Sequence, residues 1–284
     1  MALLELRGVF KTFNPGTPDE VRALRGVDLA VEPGSFVVVI GTNGSGKSTT
    51  LNAVAGSFRV DAGTIRLAGR EITGWPEHRR ARLIGRVFQD PLAGTSPSLS
   101  IAENLALASR RGLPRGLGRA VSRRAAAEFR DRVRPLGMGL EDRLDNPIGS
   151  LSGGQRQAMT LLMATYRRPE LLLLDEHTAA LDPRSAEQVI RLTDQVVRRQ
   201  HLTTLMVTHS MAHAVALGDR LIMAHQGRLI FDVAGAAKHR LRPPDLLEKF
   251  EELRRSGSRV SHRCAFHNSV AFRRFTMKQR RRGH

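Results

Sequence analysis

Three groups of residues in this chain have the types and spacing to act on phosphate. The first is Gly41-Thr42-Asn43-Gly44-Ser45-Gly46-Lys47-Ser48, followed by Thr49, and it fits G-x-x-x-x-G-K-[ST] at every position. In such a loop, backbone N–H groups cradle phosphate oxygens, Lys47 reaches the β- and γ-phosphates, and the Ser48 hydroxyl binds Mg²⁺. The second is Asp175-Glu176, closing the apolar run Leu171-Leu172-Leu173-Leu174. Adjacent strand residues point opposite ways. Asp175 therefore reads as the metal-side carboxylate and Glu176 as the general base, a role worth about 10²–10⁴-fold. The third is Leu151-Ser152-Gly153-Gly154-Gln155, which opens a helical run. Unpaired N–H groups and the positive end of the helix dipole make this a second anion-binding start, and its glycines allow close approach.

Two more side chains sit at strand ends. Gln89 follows Val87-Phe88 and precedes Asp90-Pro91. Its neutral amide can touch Mg²⁺ or water and report the state of the site to the segment behind it. His209 follows Leu205-Met206-Val207-Thr208. Its ring can donate to a γ-phosphate.

These residues need a sheet to gather them. Residues 36–40 form a β-branched run that reads as a buried parallel strand, with a helix over 49–55. Strands are expected at 3–13, 21–31 and 84–88, an edge strand within 59–67, and a short helical stretch at 79–83. From about 90 to 168 the pattern turns helical, with helices at 101–111, 121–136 and 154–168 and no core strand. Strands resume at 171–175, 204–208 and 220–224, separated by helices at 185–200 and 211–217. Alternating strands and helices predict a parallel sheet.

Composition narrows the setting. Hydrophobic residues make up 41% of the 284, ample for a core. No apolar run approaches the roughly 18 residues of a membrane span, and the start reads as a strand with a charge inside it, so a cytosolic chain is expected. A single cysteine, Cys264, excludes an internal disulfide and a cysteine metal cluster. Net charge is +18, of which residues 254–284 carry +10 with no acidic residue. Residues 251–284 read as a basic, disordered tail. A solvated appendage and a contact for anionic lipid or RNA both remain open for it.

Taken in order, the motifs resemble those of the nucleotide-binding subunit of ABC transporters, over nearly all of the chain outside the tail. The resemblance implies an α/β fold of the P-loop NTPase, ABC type: a mostly parallel core sheet, an antiparallel β region and a helical insert at about 90–168, within a domain spanning 1–250. It makes Gly41–Ser48 the Walker A loop, Gln89 the Q-loop glutamine, and Ser152, Gly153, Gly154 and Gln155 the core of the signature. Asp175 becomes Walker B, Glu176 the catalytic glutamate, Asp182 the D-loop aspartate and His209 the switch histidine. Phe13 aligns with the aromatic that stacks on adenine, where tyrosine is commoner.

The implied ligands are ATP and Mg²⁺. The implied partners are a second copy, packed head to tail so that each ATP meets one Walker A and the other copy's signature, and membrane permease subunits at the cytoplasmic face of a bacterial inner membrane. His177 departs from the family, which usually has proline there. With the surrounding residues it resembles a bacterial importer subgroup found with branched-chain-amino-acid-like permeases and a solute-binding protein, some members being linked to tryptophan or tyrosine uptake. Two alternatives stand beside import. One is an exporter or lipoprotein-release ATPase. The other is a soluble ATPase acting on nucleic acid or ribosomes, which is disfavoured because the chain has neither a long coiled-coil insertion nor a second cassette.

Overall fold

The computed structural model describes residues 1–113 and 120–257. Met1–Pro243 forms one compact unit. Its centre is a six-stranded sheet in the order β10-β9-β3-β8-β7-β6. The strands are β3 (Phe36–Gly41), β6 (Ile84–Val87), β7 (Leu171–Asp175), β8 (Thr203–Val207), β9 (Arg220–His225) and β10 (Arg228–Ala234). β6, β7, β8, β3 and β9 run parallel, and β10 pairs antiparallel with β9. The central strands β3, β7 and β8 are mostly apolar and buried on both faces, β8 along its whole length, as expected of a sheet covered by helices.

A second, antiparallel sheet has the order β2-β1-β4-β5, with β1 (Leu4–Phe13), β2 (Val21–Val31), β4 (Ala62–Leu67) and β5 (Arg70–Glu71). Its inner face (Leu4, Leu6, Leu29, Ile65, Leu67) and the central strands share one core with Leu51 and Val54. Full burial of each such aliphatic side chain stabilises the fold by about 1.5–3 kcal/mol. Leu51 and Val54 belong to α1 (Lys47–Ala55), which packs between the sheets. The C-terminal carbonyls of α1 are closed by a buried cation. Arg80, at the end of the short helix α2 (Glu77–Arg80), donates to Ala53 O and Val54 O at 2.7 and 2.9 Å and to Trp75 O and Thr73 O at 2.9 Å each. A cation is the favourable charge at that end of a helix dipole.

The helical insert contains α3 (Ile101–Ser109), α4 (Arg123–Val133) and α5 (Gly153–Thr165), and none of its described residues joins either sheet. α6 (Pro183–Gln200) and α7 (Met211–Ala216) connect the later strands, and α8 (Gly235–His239) and α9 (Pro243–Gly257) follow β10. α9 falls largely in a second unit that begins at Pro244. The expected tail therefore starts inside a helix, since α9 carries residues 251–257; residues 258–284, with Cys264, lie outside the described residues. No helix among the described residues is long and apolar enough to cross a membrane.

Candidate functional site

Parallel pairing brings the carboxyl ends of four strands to one edge. Asp175 pairs with Val207, Val207 with Val39, and Val87 with Leu174. The phosphate loop, Gln89, Asp175-Glu176 and His209 therefore emerge side by side, where open α/β sheets bind ligands.

The phosphate loop is pre-formed. Gly46 caps α1 with φ 97°, and a Cβ there would lie 2.6 Å from Ala23 O, so only glycine fits. α1 has no side-chain cap and no acidic residue in its first turn, which leaves its N-terminal N–H groups for an anion. The Ser45 hydroxyl is buried without a partner, a polar atom suited to a ligand oxygen. Lys47 is buried and donates to Gly41 O and Thr42 O at 2.8 and 3.0 Å. Burial lowers its pKa, and the nearby Glu176 and Asp175 carboxylates oppose that shift.

Ser48 Oγ donates to Asp175 Oδ1 at 2.9 Å. Burial raises the pKa of Asp175; the Ser48 hydroxyl, Arg86 and Lys47 pull it back, and Glu176 adds to the rise. These two oxygens fit Mg²⁺, which takes hard oxygen ligands and is usually held by one or two protein groups together with phosphates. Among the described residues, no group of three or more His, Cys, Asp or Glu side chains is arranged to hold a metal.

Glu176 has φ 43°, a left-handed conformation costly for a glutamate. It is held there by its N–H donating to Val207 O at 3.0 Å and by Ala179 N–H donating to its carbonyl at 2.9 Å. Its Oε2 lies 3.4 Å from Nδ1 of the exposed His209. Gln89 is exposed, and the carbonyl of Phe88 accepts from Nε2 of the buried Gln157 of α5 at 3.1 Å. This amide joins the helical insert to the residue preceding Gln89. The Phe13 ring stands edge-on to Phe58 at 5.3 Å, with Lys11 Nζ 5.5 Å from both ring centres.

The signature lies apart. Among the described residues, no hydrogen bond or ion pair joins residues 152–155 to the phosphate loop, Asp175, Glu176 or His209. Ser152 and Gln155 form a capping box: the Gln155 N–H donates to Ser152 Oγ, and the Ser152 N–H to Gln155 Oε1, both at 3.2 Å. Two of the N–H groups expected to be unpaired, those of Ser152 and Gln155, are thus taken, while the Ser152 O–H keeps its proton to donate. The two glycines also differ. Gly153 is exposed, whereas Gly154 is buried with its Cβ side against Ser185. Asp182 caps α6, accepting from the Ser185 N–H at 3.0 Å, and the bonds from Ser185 hold its carboxyl below the usual range.

The site has members that the motifs did not mark. Arg86 reaches Asp175 Oδ2 at 3.8 Å, bonds Asn52 and Ser57, and stacks 4.4 Å over the Phe88 ring. Gly227, in the β9–β10 turn, donates its N–H to Ser45 O at 3.0 Å and braces the phosphate loop. Only their placement in the fold reveals them. His177 is buried, and its Nε2 lies 3.0 Å from Thr193 Oγ1.

The matching family model is that of ABC transporters, over residues 24–179. The chain belongs to this family. It is an ABC transporter ATP-binding subunit and an ATPase. It is 42% identical over 251 residues to a tyrosine transport ATP-binding protein of Clostridioides difficile, covering 88% of this chain and 99% of that one. It is 37% identical over 235 residues to the lipoprotein-releasing system ATP-binding protein LolD 1 of Caulobacter vibrioides, covering 81% and 96%. Its fold matches a dimeric ATP-binding cassette in a post-hydrolysis state bound to ADP and Pi, with a TM-score of 0.69, 25% identity and coverage of 81% and 98%. The ABC fold expected from the motifs is the fold observed.

Proposed function

We propose that this ABC subunit powers bacterial import of an amino-acid-type solute, and that two copies close head to tail around ATP at the cytoplasmic face of the membrane. The observation carrying this reading is that the site is split. The phosphate loop, Asp175, Glu176 and His209 share one edge, while Ser152 and Gly153 stand at a separate helix start. A twofold pair of copies completes both halves at once, and the dimeric solved relative supports such a pair.

In this arrangement Lys47 and the start of α1 hold the phosphates, and Phe13 meets the adenine. Ser48 and Asp175, with Gln89 nearby, hold Mg²⁺, which when bound neutralises phosphate charge. Glu176 takes the proton of the attacking water, and His209 contacts the γ-phosphate. Asp182 and the signature of the second copy close the site. The Gln157–Phe88 bond carries the change at Gln89 into the helical insert, towards permease subunits that receive solute from a binding protein.

The name of the 42% relative favours import, and that of the 37% relative favours lipoprotein release. Deleting the gene in its own host separates them. Import predicts lost uptake of a labelled amino acid, tyrosine being the first to try, with lipoprotein sorting intact. The reverse outcome assigns the chain to release.

A further inference from the structure

We infer that Gly154 and Ser185 form a packing lock that makes the signature helix and the D-loop one positioning element, with Ser185 as its positioning residue. The inference rests on the two-copy reading above.

A Cβ built on Gly154 would lie 2.8 Å from Ser185 Cβ and 2.9 Å from Ser185 Oγ. Carbon atoms that close cannot coexist. The Oγ can rotate away, but the Ser185 Cβ is fixed to the α6 backbone. Gly154 has no positive φ, so glycine is needed there for approach between helices and not for backbone conformation. Beside it, a Cβ on Gly153 would meet only the Leu181 Cδ2 atom, at 3.1 Å, the flexible end of a side chain. The first glycine faces outward and the second is the contact surface with α6.

Four hydrogen bonds stiffen both sides of this contact. The Ser152–Gln155 capping box holds the start of α5. The Asp182 carboxylate holds the start of α6 through the Ser185 N–H, and the Ala186 N–H donates to Asp182 O at 2.8 Å. Ser152 and Asp182, the groups proposed to reach the second copy's nucleotide, therefore sit on two capped helix starts pressed together without an intervening side chain. Close-packed interiors transmit displacement instead of absorbing it. A shift in one start is thus a shift in the other, and a misplacement of about 1 Å costs on the order of 10²-fold in a reaction that depends on positioning.

The test is a size swap in the Glu176→Gln background, read by ATP-dependent dimerisation in size-exclusion chromatography with light scattering. Binding of a fluorescent ATP analogue to the monomer is the control. Gly154→Ala is expected to weaken dimerisation by tenfold or more with monomer binding unchanged. Adding Ser185→Gly, which removes the clashing Cβ and keeps the N–H to Asp182, restores dimerisation to within about threefold. Adding Ser185→Ala, which keeps that Cβ, does not.

Restoration by both or by neither overturns the lock; the second result would mean that Gly154 is required for phosphate approach. Failure of the Glu176→Gln protein to dimerise with Gly154 and Ser185 intact would overturn the two-copy reading instead. The lock would then still be decided by thermal unfolding: Gly154→Ala lowers Tm by about 3–8 °C, and only Ser185→Gly recovers it.

Discussion

His209 Nδ1 lies 3.4 Å from Glu176 Oε2, joining the ends of two adjacent parallel strands, β8 and β7. The glutamate is reached in a left-handed turn at φ 43°. Strain of this kind, about 1–3 kcal/mol, persists where the surroundings over-determine it. Glycine adopts this conformation freely. Glu176→Gly should therefore lose about 10²–10⁴-fold in kcat for ATP hydrolysis while its Tm stays level or rises. Steady-state kinetics beside calorimetry checks both, and a fall in Tm of several degrees would refute the strain account.

The Ser48–Asp175 pair predicts a specific metal defect. Ser48→Ala removes one of the two oxygens proposed to hold Mg²⁺, and Asp175→Asn removes the charge of the other. In both, nucleotide binding without divalent ions should stay near the parent value. The tightening on adding Mg²⁺ should shrink, by roughly tenfold for Asp175→Asn at about 1.4 kcal/mol per decade. Titration of a fluorescent nucleotide with and without EDTA measures it. An unchanged Mg²⁺ response would remove Asp175 from the metal site.

His177 predicts acid sensitivity. Thr193 Oγ1 already donates to Val189 O at 2.8 Å, so the Nε2 of His177 must be the donor in their shared bond, and its buried Nδ1 has no partner. Burial, reinforced by the neighbouring His213, lowers its pKa from 6.5 to about 4. The folded state therefore binds fewer protons than the unfolded one. The stability this neutral ring contributes is complete above pH 6.5 and is lost as pH falls towards 4. Over that window the loss is about 3 kcal/mol. His177→Gln should show a shallower fall in Tm across the same range; equal slopes would mean another group controls the transition.

Lys238 is a buried ammonium whose Nζ donates to Val215 O, Leu217 O and Gly218 O at 2.7, 2.5 and 2.8 Å. It closes the C-terminal end of α7, the helix that follows His209. Lys238→Met keeps much of the apolar stem and orphans three carbonyls. Loss of charged hydrogen bonds at about 1.5–3 kcal/mol each should lower denaturation stability by at least about 3 kcal/mol. Denaturant titration tests this, and a change under 1 kcal/mol would refute it.

Legibility in the sequence followed locality. β3, β7 and β8 were legible because buried parallel strands are unbroken apolar runs, and the phosphate loop because its glycines and lysine are contiguous. β10 was missed. It is an antiparallel edge strand with mixed burial and a charge within it, so neither an apolar run nor strict alternation marks it. The short β5 and α8 gave no periodic signal for the same reason. The signature start was read as an open set of donors, whereas the Ser152–Gln155 box occupies two of them.

The sequence by itself determined which chemistry is present: a lysine and hydroxyl in a glycine loop, carboxylates at a strand end, and a second glycine-bearing helix start. Those assignments depend on covalent neighbours, which spacing records. Only the tertiary structure decided what each group meets. It set Arg86 beside Asp175, Gly227 under Ser45, Lys238 beneath α7 and Ser185 against Gly154. Such contacts join residues far apart in the chain, and close packing makes them specific to atoms whose positions no local pattern encodes.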